Sequence, residues 1–154
     1  MAELTAKDIM TEKVITISQD ASIEELSETL LENKISGMPV TDSSGNLVGI
    51  VTEADIMVRN TELHFPRYFK LLDAIIYLES FTKFRENLKK HLATKVGDIM
   101  TKKAFTINTQ TPVSDAAEIM LQKKINRLPV MDSDGRLAGI VTRADIVKSM
   151  TLKK

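Results

Sequence analysis

Asp8-Ile9-Met10-Thr11 returns as Asp98-Ile99-Met100-Thr101, and Gly49-Ile50-Val51-Thr52 followed by Ala54-Asp55-Ile56 returns as Gly139-Ile140-Val141-Thr142 followed by Ala144-Asp145-Ile146. The offset is 90 residues throughout. The pairing runs without a gap from Asp8 and Asp98 to Ile56 and Ile146, and nearly half of the paired positions are identical. Pro39-Val40 and Pro129-Val130 fall on the same register. Two copies are too few for a solenoid, whose stacked units need about three or more. The repeat therefore predicts a pseudo-twofold pair in which each copy covers the apolar face of the other.

Each copy predicts the order β-α-β-β-α. A β-rich run comes first, Val14-Ile15-Thr16-Ile17 and Ala104-Phe105-Thr106-Ile107. An amphipathic helix follows, with Ile23, Leu26, Leu30 and Leu31 apolar in one copy and Val113, Ala116, Ala117, Met120 and Leu121 in the other. Ser22 with Glu25 reads as a capping box, and Thr111 as a cap before the helix-compatible Pro112. A strand through Met38-Pro39-Val40 then reaches a turn at Asp42-Ser43-Ser44-Gly45, matched by Asp132-Ser133-Asp134-Gly135. A second strand, Leu47 to Val51, leads to a helix opening at Thr52.

An Asp-Ile-Met-Thr lead-in, a Pro-Val strand, an Asp-x-x-Gly turn and a Gly-Ile-Val-Thr-x-x-Asp close resemble the cystathionine-β-synthase (CBS) domain. Two in tandem resemble a CBS pair, or Bateman module, of the stand-alone bacterial and archaeal type. The resemblance covers about two thirds of the chain. It implies an α+β fold of two motifs, 7–59 and 96–150, with a helical connector over 60–95. It further implies a non-catalytic regulatory module sensing AMP, ADP or ATP in clefts between the motifs. No resident cofactor is required, and magnesium is allowed as a companion of the nucleotide. The expected assembly is a homodimer acting on a separate effector protein. The alternatives are a structural or dimerisation module, or a binder of another adenosyl ligand such as S-adenosylmethionine.

Thr52-Glu53-Ala54-Asp55 and Thr142-Arg143-Ala144-Asp145 are the residues with the clearest chemistry. As plain structure, Thr with an acid three residues on is a helix cap. As a site, a helix start attracts phosphate, and the carboxylate can accept from two vicinal hydroxyls of a ribose. The resemblance assigns Thr52 and Thr142 to phosphate, and Asp55 and Asp145 to ribose. It places Thr16, Ile17, Met38 and Pro39, with Thr106, Ile107, Leu128 and Pro129, around the adenines, although the apolar residues among them serve equally as core. The copies differ where Asn126-Arg127 stands against Ser36-Gly37. Arg127, with Asn126 beside it, is expected to bind phosphate and to make the clefts unequal, the one using Arg127 favouring the more highly charged nucleotide.

Composition narrows the classes. Apolar residues make up 43% and charged residues 27%, enough apolar material for a core. Lys plus Arg and Asp plus Glu are 21 each, which argues against nucleic acid as the main partner. The absence of cysteine excludes disulfides and thiolate chemistry, and no apolar run approaches a membrane span of about 20 residues. A cytoplasmic protein is the simplest expectation. His64 and His91 lie outside the repeats with no acid–nucleophile pattern around them, so no catalytic set and no metal site is expected. Asp132-Ser133-Asp134-Gly135 begins like a calcium loop but lacks its later ligands, and a turn is predicted.

Between the copies lie Phe65, Tyr68, Phe69, Tyr77, Phe81 and Phe84, six of the seven aromatics. Tyr68, Leu72, Ile75 and Ile76, then Phe81, Phe84, Leu88 and Leu92, follow helical spacing after Pro66. One or two helices packing on the pair are predicted, part of their stripe available to a second subunit.

Overall fold

Ile23, Leu26 and Leu30 recur one turn apart and become the buried face of α2 (Ile23–Asn33). In the computed structural model, which describes residues 2–60, 68–71, 74–77, 85–86 and 93–152, the same logic builds both copies. The first contains α1 (Ala6–Ile9), β1 (Ile17–Ser18), α2, β2 (Gly37–Thr41), β3 (Leu47–Thr52) and α3 (Glu53–Asn60). Beyond β4 (Tyr68–Leu71) and β5 (Ala74–Tyr77), the second repeats the order. It comprises α4 (Val96–Ile99), β6 (Thr101–Lys102), β7 (Ile107–Asn108), α5 (Val113–Lys123), β8 (Arg127–Met131), β9 (Leu137–Thr142) and α6 (Arg143–Ser149).

Local signals account for most boundaries. Ser22 Oγ accepts from the Glu25 N–H at 3.0 Å, which caps α2 with the Ser22 half of the predicted capping box. Helix α5 differs: its N-cap is Pro112, and Thr111 Oγ1 accepts from the Asn108 N–H at 3.1 Å, serving the preceding turn instead. The hairpin turns form as read. Asp42 Oδ1 accepts from the Ser44 and Asn46 N–H groups, Asp132 does the same for Asp134 and Arg136, and Gly45 and Gly135 take φ of 81° and 75°.

The predicted first strands shrink. Only Ile17–Ser18 and Ile107–Asn108 pair, each parallel to the next strand (Ile17 with Val40, Ile107 with Val130). Residues 14–16 and 104–106 precede the sheets, and Val14, Ile15, Ala104 and Phe105 line cavities.

The two copies exchange their lead-in segments. Strand β6 of the second copy pairs with β3 of the first (Ile50 with Thr101), and Thr11 of the first bridges Ile140 of the second. Ala6 is fully buried among Ile107, Ala116, Met120, Leu128, Val130 and Val141, whereas Val96 and Ile99 are buried with Ile17, Leu26, Met38, Val40 and Val51. Each core is thus closed by the other repeat's lead-in helix, the mutual cover that two copies require.

The exchange needs a glycine on the receiving strand. A Cβ on Gly49 would stand 2.6 Å from the Thr101 carbonyl oxygen and 2.8 Å from Met100 Sδ. The carbonyl belongs to the β3–β6 pairing and cannot rotate away. Gly49→Ala is therefore expected to cost about 1–3 kcal/mol by overpacking, read as a lower urea midpoint at unchanged slope.

Over 68–71 and 74–77 the connector departs from the helical prediction. Among its described residues the backbone pairs antiparallel, Tyr68 with Tyr77 through Leu71 with Ala74, and Arg85 and Glu86 are helical. Tyr-Phe and Ile-Ile-Tyr are strand-favouring runs, and short apolar runs carry no period long enough to separate strand from helix. Phe65, Pro66, Leu72, Phe81, Phe84, Leu88 and Leu92 lie outside the described residues, as do His64 and His91.

Candidate functional site

Two clefts lie where the copies meet, and each draws one wall from each copy. The Thr52 cleft, about 350 Å³, takes Ile50, Thr52, Glu53 and Ala54 from the first repeat and Thr101, Lys103, Ala104, Phe105, Lys124 and Ile125 from the second. The Thr142 cleft, about 500 Å³, takes Ile140, Thr142, Arg143 and Ala144 from the second and Thr11, Lys13, Val14, Ile15, Lys34 and Ile35 from the first. These sets correspond residue for residue at the repeat offset. Both volumes fall in the range of small-molecule sites, and each cleft is lined by apolar and polar residues together.

The helix starts carry the predicted caps. Thr52 N–H donates to Asp55 Oδ2 at 2.9 Å, and Thr142 N–H donates to Asp145 Oδ2 at 2.8 Å. Both Thr hydroxyls also lie within hydrogen-bond distance of the same carboxylate oxygen, at 3.4 and 2.9 Å. Asp55 is buried, and neither aspartate is among the residues lining the two clefts. The first amide of each helix is also engaged, Glu53 N–H by Ser36 O and Arg143 N–H by Asn126 O. An anion placed at either helix start would therefore meet the Thr hydroxyls and the surrounding Lys and Arg side chains before the first amide.

Three lysines on these walls, Lys34, Lys103 and Lys124, hold left-handed φ of 53°, 54° and 55°. Lys34 and Lys124 end α2 and α5, a position usually given to Gly or Asn. Their backbone turns the chain from each helix into a cleft wall.

Arg127 lies between the clefts and lines both, with Ser36 and Asn126. It donates from Nη2 to Ser36 Oγ. Burial lowers the guanidinium's pKa, and the negative charges of Glu53 and Asp55 oppose that shift. Its repeat equivalent, Gly37, lies against it: a Cβ there would stand 2.5 Å from Arg127 Nη1 and 2.9 Å from Thr52 Cγ2. The two equivalent positions meet in space, so one side chain occupies the room of two. The expectation that one cleft alone uses Arg127, and is thereby set apart from the other, is corrected by this placement, because the residue lines both.

The structure brings Thr52, Thr142, Asn126, Arg127 and Pro39 to the clefts. Ile17, Met38, Ile107, Leu128 and Pro129 are buried, as is Pro39 where it borders the Thr142 cleft, and Met38 and Leu128 are fully enclosed in the two cores. Thr16 is exposed, and Thr106 lines a separate cavity of about 410 Å³ with Leu47, Val48 and Gly49. Cleft residues that the sequence reading did not single out are Ile15 and Phe105, large apolar side chains left 37% and 48% exposed, and the lysines. Their repeat equivalence was available as a signal. Lys123 Nζ stands 4.9 Å from the centre of the Phe105 ring. Among the described residues no group of three or more His, Asp or Glu is placed to hold a metal, and no helix is long and apolar enough to cross a membrane.

Two α+β motifs that trade lead-in segments and share the walls of two clefts define a tandem-repeat module. The chain belongs to the CBS domain family, which matches residues 6–60 and again 96–151. The protein MJ1426 of Methanocaldococcus jannaschii is 37% identical over 151 residues, covering 94% of this chain and 89% of that one. The chloroplastic CBS domain-containing protein CBSX1 of Arabidopsis thaliana is 34% identical over 94% of this chain, which spans 63% of its length. Among solved structures, Arabidopsis CBSX2 in complex with AMP is similar with a TM-score of 0.80 at 29% identity, covering 97% of this chain and 98% of that one. The CBS domain pair of MJ0100, in complex with 5′-methylthioadenosine and S-adenosyl-L-methionine, gives a TM-score of 0.72 at 27% identity over 99% and 100%.

Proposed function

We propose that this chain is a non-catalytic regulatory module that binds adenine nucleotides, AMP, ADP or ATP, in its two inter-repeat clefts. The observation that carries the reading is the construction of the clefts: each joins a Thr at a helix start, apolar residues and several cationic side chains. The fold shared with a protein solved with AMP supports it. Phe105 and Ile15 are the side chains suited to an adenine face. Thr52 and Thr142 with the basic residues suit phosphate. Asp55 and Asp145 would reach a ribose by exchanging cap hydrogen bonds for hydroxyl ones.

Output passes to a separate effector protein in the cytoplasm, and the unit is a homodimer. Leu31 and Met57 in the first repeat, and their equivalents Leu121 and Val147 in the second, are between 65% and 78% exposed, leaving an apolar surface on each two-helix face for a second copy. The MJ0100 pair favours a second reading in which an adenosyl thioether or sulfonium replaces the nucleotide.

Native mass spectrometry of the purified chain, followed by calorimetric titration with AMP and ATP, tests the assignment. Asp55→Ala and Asp145→Ala should each weaken one site about tenfold, since a ribose hydroxyl bonded to an ionised group is lost while a cap bond is no longer displaced. Each should also cost about 1 kcal/mol of stability through the lost cap. Wild-type binding that neither substitution alters would remove the ribose role, and no binding of either nucleotide at millimolar concentration would remove the function.

A further inference from the structure

The two clefts are matched except at one charged position. Glu53 lines the Thr52 cleft, and Arg143, its repeat equivalent, lines the Thr142 cleft. The other cations come in equivalent pairs, Lys103 with Lys13 and Lys124 with Lys34, and Arg127 borders both clefts. The Thr142 cleft therefore gathers Lys13, Lys34, Arg127 and Arg143 with no carboxylate among its lining residues. In the Thr52 cleft, Glu53 shares the lining with Lys103, Lys124 and Arg127, and its charge acts on the Arg127 guanidinium together with that of Asp55. The volumes follow the same order, about 500 against about 350 Å³.

We propose that the Glu53–Arg143 difference sorts adenosyl ligands by charge, the Thr142 cleft taking a polyphosphate tail and the Thr52 cleft an adenosyl ligand of low negative charge. The inference rests on the adenosyl-binding reading above and adds to it which cleft takes which ligand. Each added phosphate brings negative charge and several strong acceptors. Arg143 and Arg127 can meet such a tail with paired donors, and Lys13 and Lys34 with compact charges. In the smaller cleft a polyphosphate would be brought towards Glu53, a like-charge contact that disfavours it. A monophosphate, a neutral thioether or a sulfonium carries less of this repulsion, and a sulfonium would be attracted by the same carboxylate.

Glu53 and Arg143 are both exposed, so charge changes there disturb no core. The test is calorimetric titration of the full chain with ATP and with AMP for wild type, Arg143→Glu, Glu53→Arg and the double exchange. Wild type should hold one ATP more tightly than a second. Arg143→Glu should lower the affinity for the first ATP at least about tenfold and shrink the ATP-to-AMP preference, because a two-unit charge change acts directly on the tail. Glu53→Arg should strengthen the second ATP by a similar factor, leaving two sites of comparable affinity. The double exchange should restore one strong and one weak site. The ATP preference should also fall as salt is raised. ATP and AMP binding with a ratio unchanged across the variants overturns the sorting and leaves the nucleotide reading in place. A wild type that binds neither overturns both.

Discussion

Leu128→Ala is expected to destabilise the protein by about 2–5 kcal/mol while leaving AMP affinity within about threefold of wild type. Leu128 is fully buried on β8 beside Pro129, in the core it shares with Ala6, Ile107, Met120, Val130 and Val141. Truncation removes the transfer energy of three carbons and leaves a cavity that a core held by two sheet neighbours and a lead-in helix cannot close. For a chain of this length each kcal/mol lowers Tm by roughly 2–4 °C, so a drop on the order of 10 °C should appear in calorimetry. Against a whole-domain stability of about 5–15 kcal/mol this is a large share. The paired measurement separates two roles: an adenine-lining residue would lose affinity in proportion, and a core residue loses melting temperature. An affinity loss of tenfold or more with little thermal change would return Leu128 to the ligand.

Arg127→Ala should produce the largest binding defect of any single substitution, about tenfold to a hundredfold for both AMP and ATP. Charge-assisted hydrogen bonds contribute about 1.5–3 kcal/mol each, and this one residue borders both clefts. Both sites should weaken together, whereas substitutions at Thr52 or Thr142 weaken one. Binding of S-adenosylmethionine should suffer less, because its sulfonium gains nothing from a guanidinium and it carries one carboxylate in place of phosphate. Arg127→Lys should recover part of the loss, keeping charge but not the paired donors. Titration of AMP, ATP and S-adenosylmethionine against both variants checks this, and ATP affinity unchanged in Arg127→Ala would take the residue out of the site.

The repeat made the architecture legible because sequence identity at a constant offset carries element order with it. The caps at Ser22, Thr52 and Thr142 and the Asp42 and Asp132 turns were legible because their chemistry is local to three or four residues. The cleft walls were harder to read. Strand β2 is buried along four of its five residues, so it offers no alternation to tell a core-facing Met38 from a ligand-facing neighbour. The residues that do reach the clefts, Ile15 and Phe105, lie just before the paired strand, where an apolar residue reads as a continuation of it. The meeting of Gly37 with Arg127 appears in the repeat only as a mismatch. Its meaning requires knowing that the pseudo-twofold axis passes between them. The connector resisted for another reason, since four-residue apolar runs satisfy helical and strand spacing alike.

The traded lead-in helices carry a consequence for how the chain is made. Ala6 N–H donates to Thr111 O, and Val113 N–H to Leu4 O, contacts that span more than a hundred residues. Val96 N–H to Ala21 O and Gly97 N–H to Gln19 O close the other half. During synthesis the first motif emerges with its core uncapped and its own leading helix without a seat, until the second motif has left the ribosome. Neither repeat is then a folding unit by itself, and long-range closure of this kind slows folding and lengthens the exposure of unfinished cores. The covalent order of the motifs and the physical order of their assembly are therefore different, and the pair is the smallest piece of this protein expected to stand alone.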